Sequence, residues 1–148
     1  MRENVLIEVS SSLFEDNEKK EFQITTNAEY KGEDNDYTIL YSDTDEDMKE
    51  CTTLLHVENG NLITIHRQGE ALSHLVLEKS RRHISQHETP FGMFTMGIST
   101  DDIRSAVHNG KGTLYFRYTT DVDMMPVNIM EFNIKLLSKE KADVKYSH

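Results

Sequence analysis

Apolar and polar positions alternate along most of the chain. Val5, Ile7 and Val9 oppose Leu6, Glu8 and Ser10, which predicts a first strand ending near Phe14. After a turn at Asp16-Asn17, Phe22, Ile24, Thr26, Ala28 and Tyr30 form one face, and Glu21, Gln23, Thr25, Asn27 and Glu29 the other. Residues 32–35 turn the chain into a strand faced by Tyr37, Ile39 and Tyr41. Segments 51–58 and 61–67 flank Asn59-Gly60, the strongest short hairpin signal, because both turn residues take positive φ. A two-residue loop there pairs Val57 with Leu62 and Leu55 with Thr64, and it sets His56 and His66 on opposite faces. Gln68-Gly69 and Ser80-Arg81 read as further turns.

The clearest stretch runs from Gln86 to Thr100. Proline removes a backbone donor and extends the residue before it, so Thr89-Pro90 followed by Gly92 predicts a rigid corner. A two-faced strand leaves it, with Phe94, Met96 and Ile98 on one side and Met93 and Thr95 on the other. Residues 101–108 fit one helical turn or a continued strand equally well. Past the turn at residues 109–112, Leu114, Phe116 and Tyr118 alternate with Tyr115, Arg117 and Thr119. Residues 121–126 link to a last strand faced by Asn128, Met130, Phe132, Ile134 and Leu136. Strands joined by tight turns in sequence order form an antiparallel meander, and closing a long sheet removes its exposed edges. The expectation is an all-β barrel of about eight to ten strands with at most one short helix, and a two-sheet sandwich as the alternative.

Composition narrows this picture. At 148 residues the chain reads as one domain, with 138–148 a frayed tail. The formal charge of −10 opposes nucleic-acid phosphates and anionic membrane surfaces. No run reaches the roughly 18 apolar residues of a spanning helix. The lone cysteine, Cys51, forms no internal disulfide, and the start of the chain lacks the apolar core of a signal peptide, so a cytoplasmic location is expected.

Four pieces occur in order: Tyr37-x-x-x-Tyr41, Arg67-x-Gly69, Thr89-Pro90-Phe91-Gly92 and Gly112-x-Leu114-x-Phe116-x-Tyr118. Together they resemble the YwiB-like family, small bacterial proteins with a calycin-type (lipocalin-like) β-barrel. The resemblance runs from about Glu3 to Leu137. His87 stands where the family often has an aromatic residue, and Phe91 where tyrosine is common, so no role of those phenols transfers. The resemblance implies the fold and carries no established activity.

Candidate chemistry is sparse. Gly-rich phosphate loops and a Gly-x-Ser-x-Gly elbow are absent. Residues 43–50 are acidic, but Met48 and Leu54 stand where a calcium loop needs Gly and Glu, so a solvated loop is expected. On a strand, His83 and His87 sit about 13 Å apart, too far for one ion. His56, His66 and His74 read as surface or hydrogen-bonded side chains, with no metal and no cofactor expected. The acidic loop beside Cys51 opposes a reactive thiolate. Arg67 and Arg117 end or interrupt apolar faces, and an inward arginine needs a carboxylate, a carbonyl or a ligand. Tyr37, Tyr41 and Tyr118 would supply polar contacts, and Met93, Met96, Met124, Met125 and Met130 soft apolar lining or core filling. Thr89, Pro90 and Gly92 serve geometry.

The reading is a non-enzymatic barrel, monomeric or homodimeric, that binds a small, partly apolar, anionic ligand. The alternative is a protein-interaction or structural barrel filled by its own side chains.

Overall fold

Each alternating run folds as a strand with its apolar set turned inward. The computed structural model describes residues 2–44, 50–69 and 72–137. The strands are β1 (Arg2–Glu15), β2 (Glu18–Glu33), β3 (Asp36–Thr44), β4 (Glu50–Glu58) and β5 (Leu62–Gln68), then β6 (Leu72–Glu78), β7 (Arg82–Thr89), β8 (Gly92–His108), β9 (Lys111–Val122) and β10 (Met125–Leu137). Each pairs antiparallel with its sequence neighbour, and β1 also pairs with β10, closing a ten-stranded meander barrel. Among the described residues no helix occurs, and so none long and apolar enough to cross a membrane.

Residues 101–108 continue β8 as strand. A bulge between Thr100 and Asp102 keeps Ile103 and Val107 inward, where their four-residue spacing imitates a helical period. The Thr89-Pro90 corner is a tight hairpin tip: Thr89 pairs with Gly92 across Pro90 and Phe91. Residues 45–49 of the acidic loop and the tail 138–148 lie outside the described residues.

The β4–β5 hairpin differs from its expected register by one residue. Asn59, Gly60 and Asn61 separate the paired Glu58 and Leu62, so Val57 meets Ile63 and Leu55 meets Ile65. The Asn61 N–H closes onto the Glu58 carbonyl at 3.1 Å, while the Gly60 N–H donates to Asn35 of the neighbouring turn at 3.0 Å. A one-residue slip reverses every side chain of a strand. His66 therefore joins His56 on the outer wall, and Arg67 turns inward opposite Thr53.

The interior divides along the barrel axis. At the end closed by the β4–β5 and β8–β9 turns, Ile7, Ile39, Leu55, Val57, Leu77, Leu114, Phe116 and Ile134 form a sealed apolar floor. Towards the other end, where the β1–β2, β7–β8 and β9–β10 hairpins project, polar side chains enter the wall.

Candidate functional site

Period two carries Tyr41, Thr53 and Arg67 onto facing positions of β3, β4 and β5. Thr53 is 3% exposed, Tyr41 and Tyr118 6% each, while the Arg67 side chain keeps 37% of its surface open. The Arg67 guanidinium donates to the Thr53 hydroxyl at 2.9 Å and to Asp43 at 3.3 Å, and Asp43 forms its ion pair. A guanidinium has five donors, so its contacts among the described residues leave others uncommitted. Burial pushes the Tyr41 phenol up to about 12, with Asp43 adding to the rise and Arg67 and Thr53 opposing it. Burial likewise raises the Tyr118 phenol, again against the pull of Arg67. Both phenols stay protonated at neutral pH and keep an O–H to donate. On the next strand, opposite Tyr118, the buried Thr100 hydroxyl finds no partner among the described residues, and neither does the side-chain carbonyl of Asn128.

A break in the wall opens beside Arg67. β6 and β7 pair only at Leu72 with Glu88 and Ser73 with His87. Further along, the chain leans onto β8 instead: Ser80 N–H donates to the Thr100 carbonyl at 2.9 Å, and Thr100 N–H to Arg81 at 3.2 Å. The Ser85 hydroxyl spans the gap to the His74 carbonyl at 2.6 Å, in place of a ladder bond. The resulting cleft of about 500 Å³ runs from Arg67, Ser73 and Ser85 out to His66, His74 and Ile84. His66 and His74 stack at its outer lip with ring centroids 4.1 Å apart. Burial and the neighbouring ring hold His66 below the ordinary imidazole value.

Of the sequence candidates, Arg67, Tyr41 and Tyr118 come together and the others do not. Tyr37 lies at the sealed end, bonded to the Ser105 hydroxyl at 2.7 Å, and burial lifts it to about 12. Arg117 projects from the outer wall, loosely paired with Asp101 at 3.8 Å and Glu131 at 3.9 Å. Pro90 and Gly92 stand exposed at a hairpin tip, with the backbone of Thr89 paired to Gly92. Met130 packs on the core, whereas Met93, Met124 and Met125 are exposed. Sequence reasoning missed Thr53, which shares the inward parity of Leu55. It also missed the cleft, which depends on where a ladder fails.

No metal-binding group of three or more His, Cys, Asp or Glu side chains exists among the described residues. His83 bonds Glu78 at 3.0 Å and His108 bonds Asp34 at 2.7 Å. Cys51 is buried.

The family model described as a domain of unknown function, DUF1934, matches residues 7–135. The chain belongs to that family. A crystal structure of the ywiB protein from Bacillus subtilis is similar to this DUF1934 barrel, with a TM-score of 0.76 and 18% identity over 93% of this chain and 94% of that one. At that identity the likeness concerns the fold, and it agrees with the YwiB-like resemblance of the four sequence pieces. No curated protein matches the sequence. The family indicates no catalytic activity.

Proposed function

We propose that this DUF1934 protein is a non-enzymatic binding module for a small, partly apolar ligand whose anionic group is held by Arg67. The observation that carries the reading is the half-exposed Arg67 guanidinium. It stands among Thr53, Tyr41 and Tyr118 beside a 500 Å³ cleft, and its ion pair spans 3.3 Å. A planar fork with spare donors suits a carboxylate or phosphate. Ile84 and Val76 in the same cleft give an apolar tail a surface to cover. Ligand entry runs through the β6–β7 break and the open end, because the floor is filled by its own side chains. The buried lone Cys51 and the acidic surface suit a reducing, cytoplasmic setting.

Calorimetry with decanoate and decyl phosphate tests the reading. Wild type binds, Arg67→Met does not while keeping its fold, and Arg117→Met binds as wild type does. Absence of wild-type binding across such anions refutes it. The filled floor around Tyr37 and Phe116 favours a second reading, a barrel that serves as an interaction scaffold. In that case protein purified from its host carries no small molecule in native mass spectrometry.

A further inference from the structure

Among the described residues, nearly all the large hydrophobic side chains left exposed belong to four consecutive strands of the ten. Phe22 apart, they lie on β7 to β10 or the turns between them. Met93 and Phe94 are 59% and 51% exposed on β8; Met124 and Met125 are 69% and 71% exposed at the β9–β10 tip. Between these groups the wall is notched. β8 pairs with β9 only as far as Gly97 and Asp121, and among the described residues, positions 93–96 pair in the ladder with β7 alone. Residues 93–96 therefore present a free backbone edge flanked by apolar side chains.

Natural sheets blunt such edges with charge or proline. Another open edge of this barrel does so: β2 meets β3 only from Ala28 onward, and the part before it carries Glu18, Lys19, Lys20 and Glu21. The β8 edge at residues 93–96 reads Met-Phe-Thr-Met and carries neither charge nor proline. The notch is also held rigid. Asp121 accepts two bonds from Arg82 at 2.7 and 2.9 Å, tying β9 to β7, and a third from the Met124 N–H at 3.2 Å. That third bond braces a tip in which Asp123 and Met124 take φ of 53° and 70°. Left-handed backbone at an exposed methionine is strain of the kind that collects at functional surfaces.

Charge indicates the occupant. The nearby cations Arg82 and Lys19 are already paired with Asp121 and Glu21. Just past the β9–β10 tip, a groove of about 570 Å³ joins Pro126 and Val127 to the acidic β1–β2 tip of Glu15, Asp16 and Glu18. A second copy, or an anionic lipid surface, would bring negative charge onto a chain of −10. We propose that the β8 edge docks an extended segment of a partner protein, apolar at alternate positions and basic between them, as an added strand. Met93 also lines the Arg67 cleft, but the docking rests on the β8 backbone edge and not on that guanidinium.

The probe is a blocked heptapeptide that alternates lysine with valine. It should bind the full chain, slow amide exchange at residues 93–96, and lose affinity as salt rises. The paired substitution Met93→Lys with Met125→Lys should weaken it by about tenfold or more with an unchanged circular dichroism spectrum. If that variant misfolds, a backbone N-methylated probe on wild type gives the same test and should bind about tenfold more weakly. Equal binding of a glutamate–valine probe, or no exchange protection at residues 93–96, overturns the proposal. A dimer in sedimentation that the paired substitution dissolves overturns it in favour of a second copy.

Discussion

Replacing Arg67 by Met asks whether the guanidinium serves the fold or a ligand. Its ion pair with Asp43 spans 3.3 Å, with the two side chains 37% and 19% exposed. Ion pairs this open contribute about 0–1 kcal/mol once desolvation, side-chain ordering and salt screening are counted. The second contact, 2.9 Å to Thr53, is a charged hydrogen bond at a partly wet site. When it goes, the Thr53 hydroxyl still lies close enough to the Tyr41 phenol to influence its ionisation, so a polar neighbour remains. Methionine also retains the apolar stem. The expected cost is about 1 kcal/mol or less, which moves a urea midpoint by under about 1 M for a domain of this size. Had the pair been fully buried, removing one partner would cost about 3–5 kcal/mol. Two other readouts should change. The Tyr41 and Tyr118 phenols lose the nearby positive charge and should ionise at still higher pH, seen in phenolate absorbance. Binding of decanoate should disappear. A stability loss above about 3 kcal/mol would refute the reasoning, because Arg67 would then be a structural charge.

Gly92 has φ of +126° in open space, so Gly92→Val should cost roughly 1–3 kcal/mol from backbone strain alone, read from the thermal midpoint. Gly112→Ala should cost more: at φ +133° the new Cβ would collide with the Ala106 carbonyl oxygen, a backbone atom that cannot swing away. A urea series that ranks the two the other way would contradict this geometry. The Arg82 hydrogen bonds hold the Asp121 carboxyl below its ordinary value of 3.8, so that contribution is present at neutral pH and fades as pH falls below about 4. Asp121→Asn should flatten that acid limb in pH-dependent denaturation. Tyr41 titrates near 12 when folded against about 10 when unfolded, so its contribution holds below pH 10 and is lost as pH climbs to 12. Tyr41→Phe should shift alkaline unfolding upward.

The strand order was legible because period-two alternation and positive-φ turns are local. Asp16-Asn17 and Asn109-Gly110 both turn as their residue types require, with φ of 49° and 65°, and of 53° and 74°. Two features were not local. The β4–β5 register hung on a single N–H: Gly60 donates to Asn35, a residue of a different hairpin, and the loop takes up Asn61. That one residue moved His66 outward and Arg67 inward. The β6–β7 cleft opens where that ladder stops after Leu72 and Ser73, and no pattern within residues 72–89 reports it. Arg117 shows the opposite case. It alternates with Phe116 and Tyr118, and its reading as an inward, ligand-holding arginine set that parity aside.

The position of the candidate site follows from where the barrel gets its stability. Side chains that exclude water completely sit at the floor, where Ile39, Val57, Ile63, Leu77, Leu114 and Ile134 are wholly buried. Full burial of such a side chain contributes about 1.5–3 kcal/mol. The open end does not share in this. It holds a partly exposed arginine, an interrupted β6–β7 ladder and an unguarded β8 edge. None of these strengthens the fold, and each would be tolerated only where a well-packed floor supplies the surplus. A chain selected for stability alone would extend the floor pattern to both ends. That it stops near Tyr41 and Tyr118 is the physical reason to look for function on the far side of that line. Substitutions there, at Arg67 or Met93, should change binding far more than they change the melting temperature, whereas Phe116→Ala at the floor should cost about 3–5 kcal/mol. Comparable stability losses at both ends would remove the distinction, and with it the argument for the site.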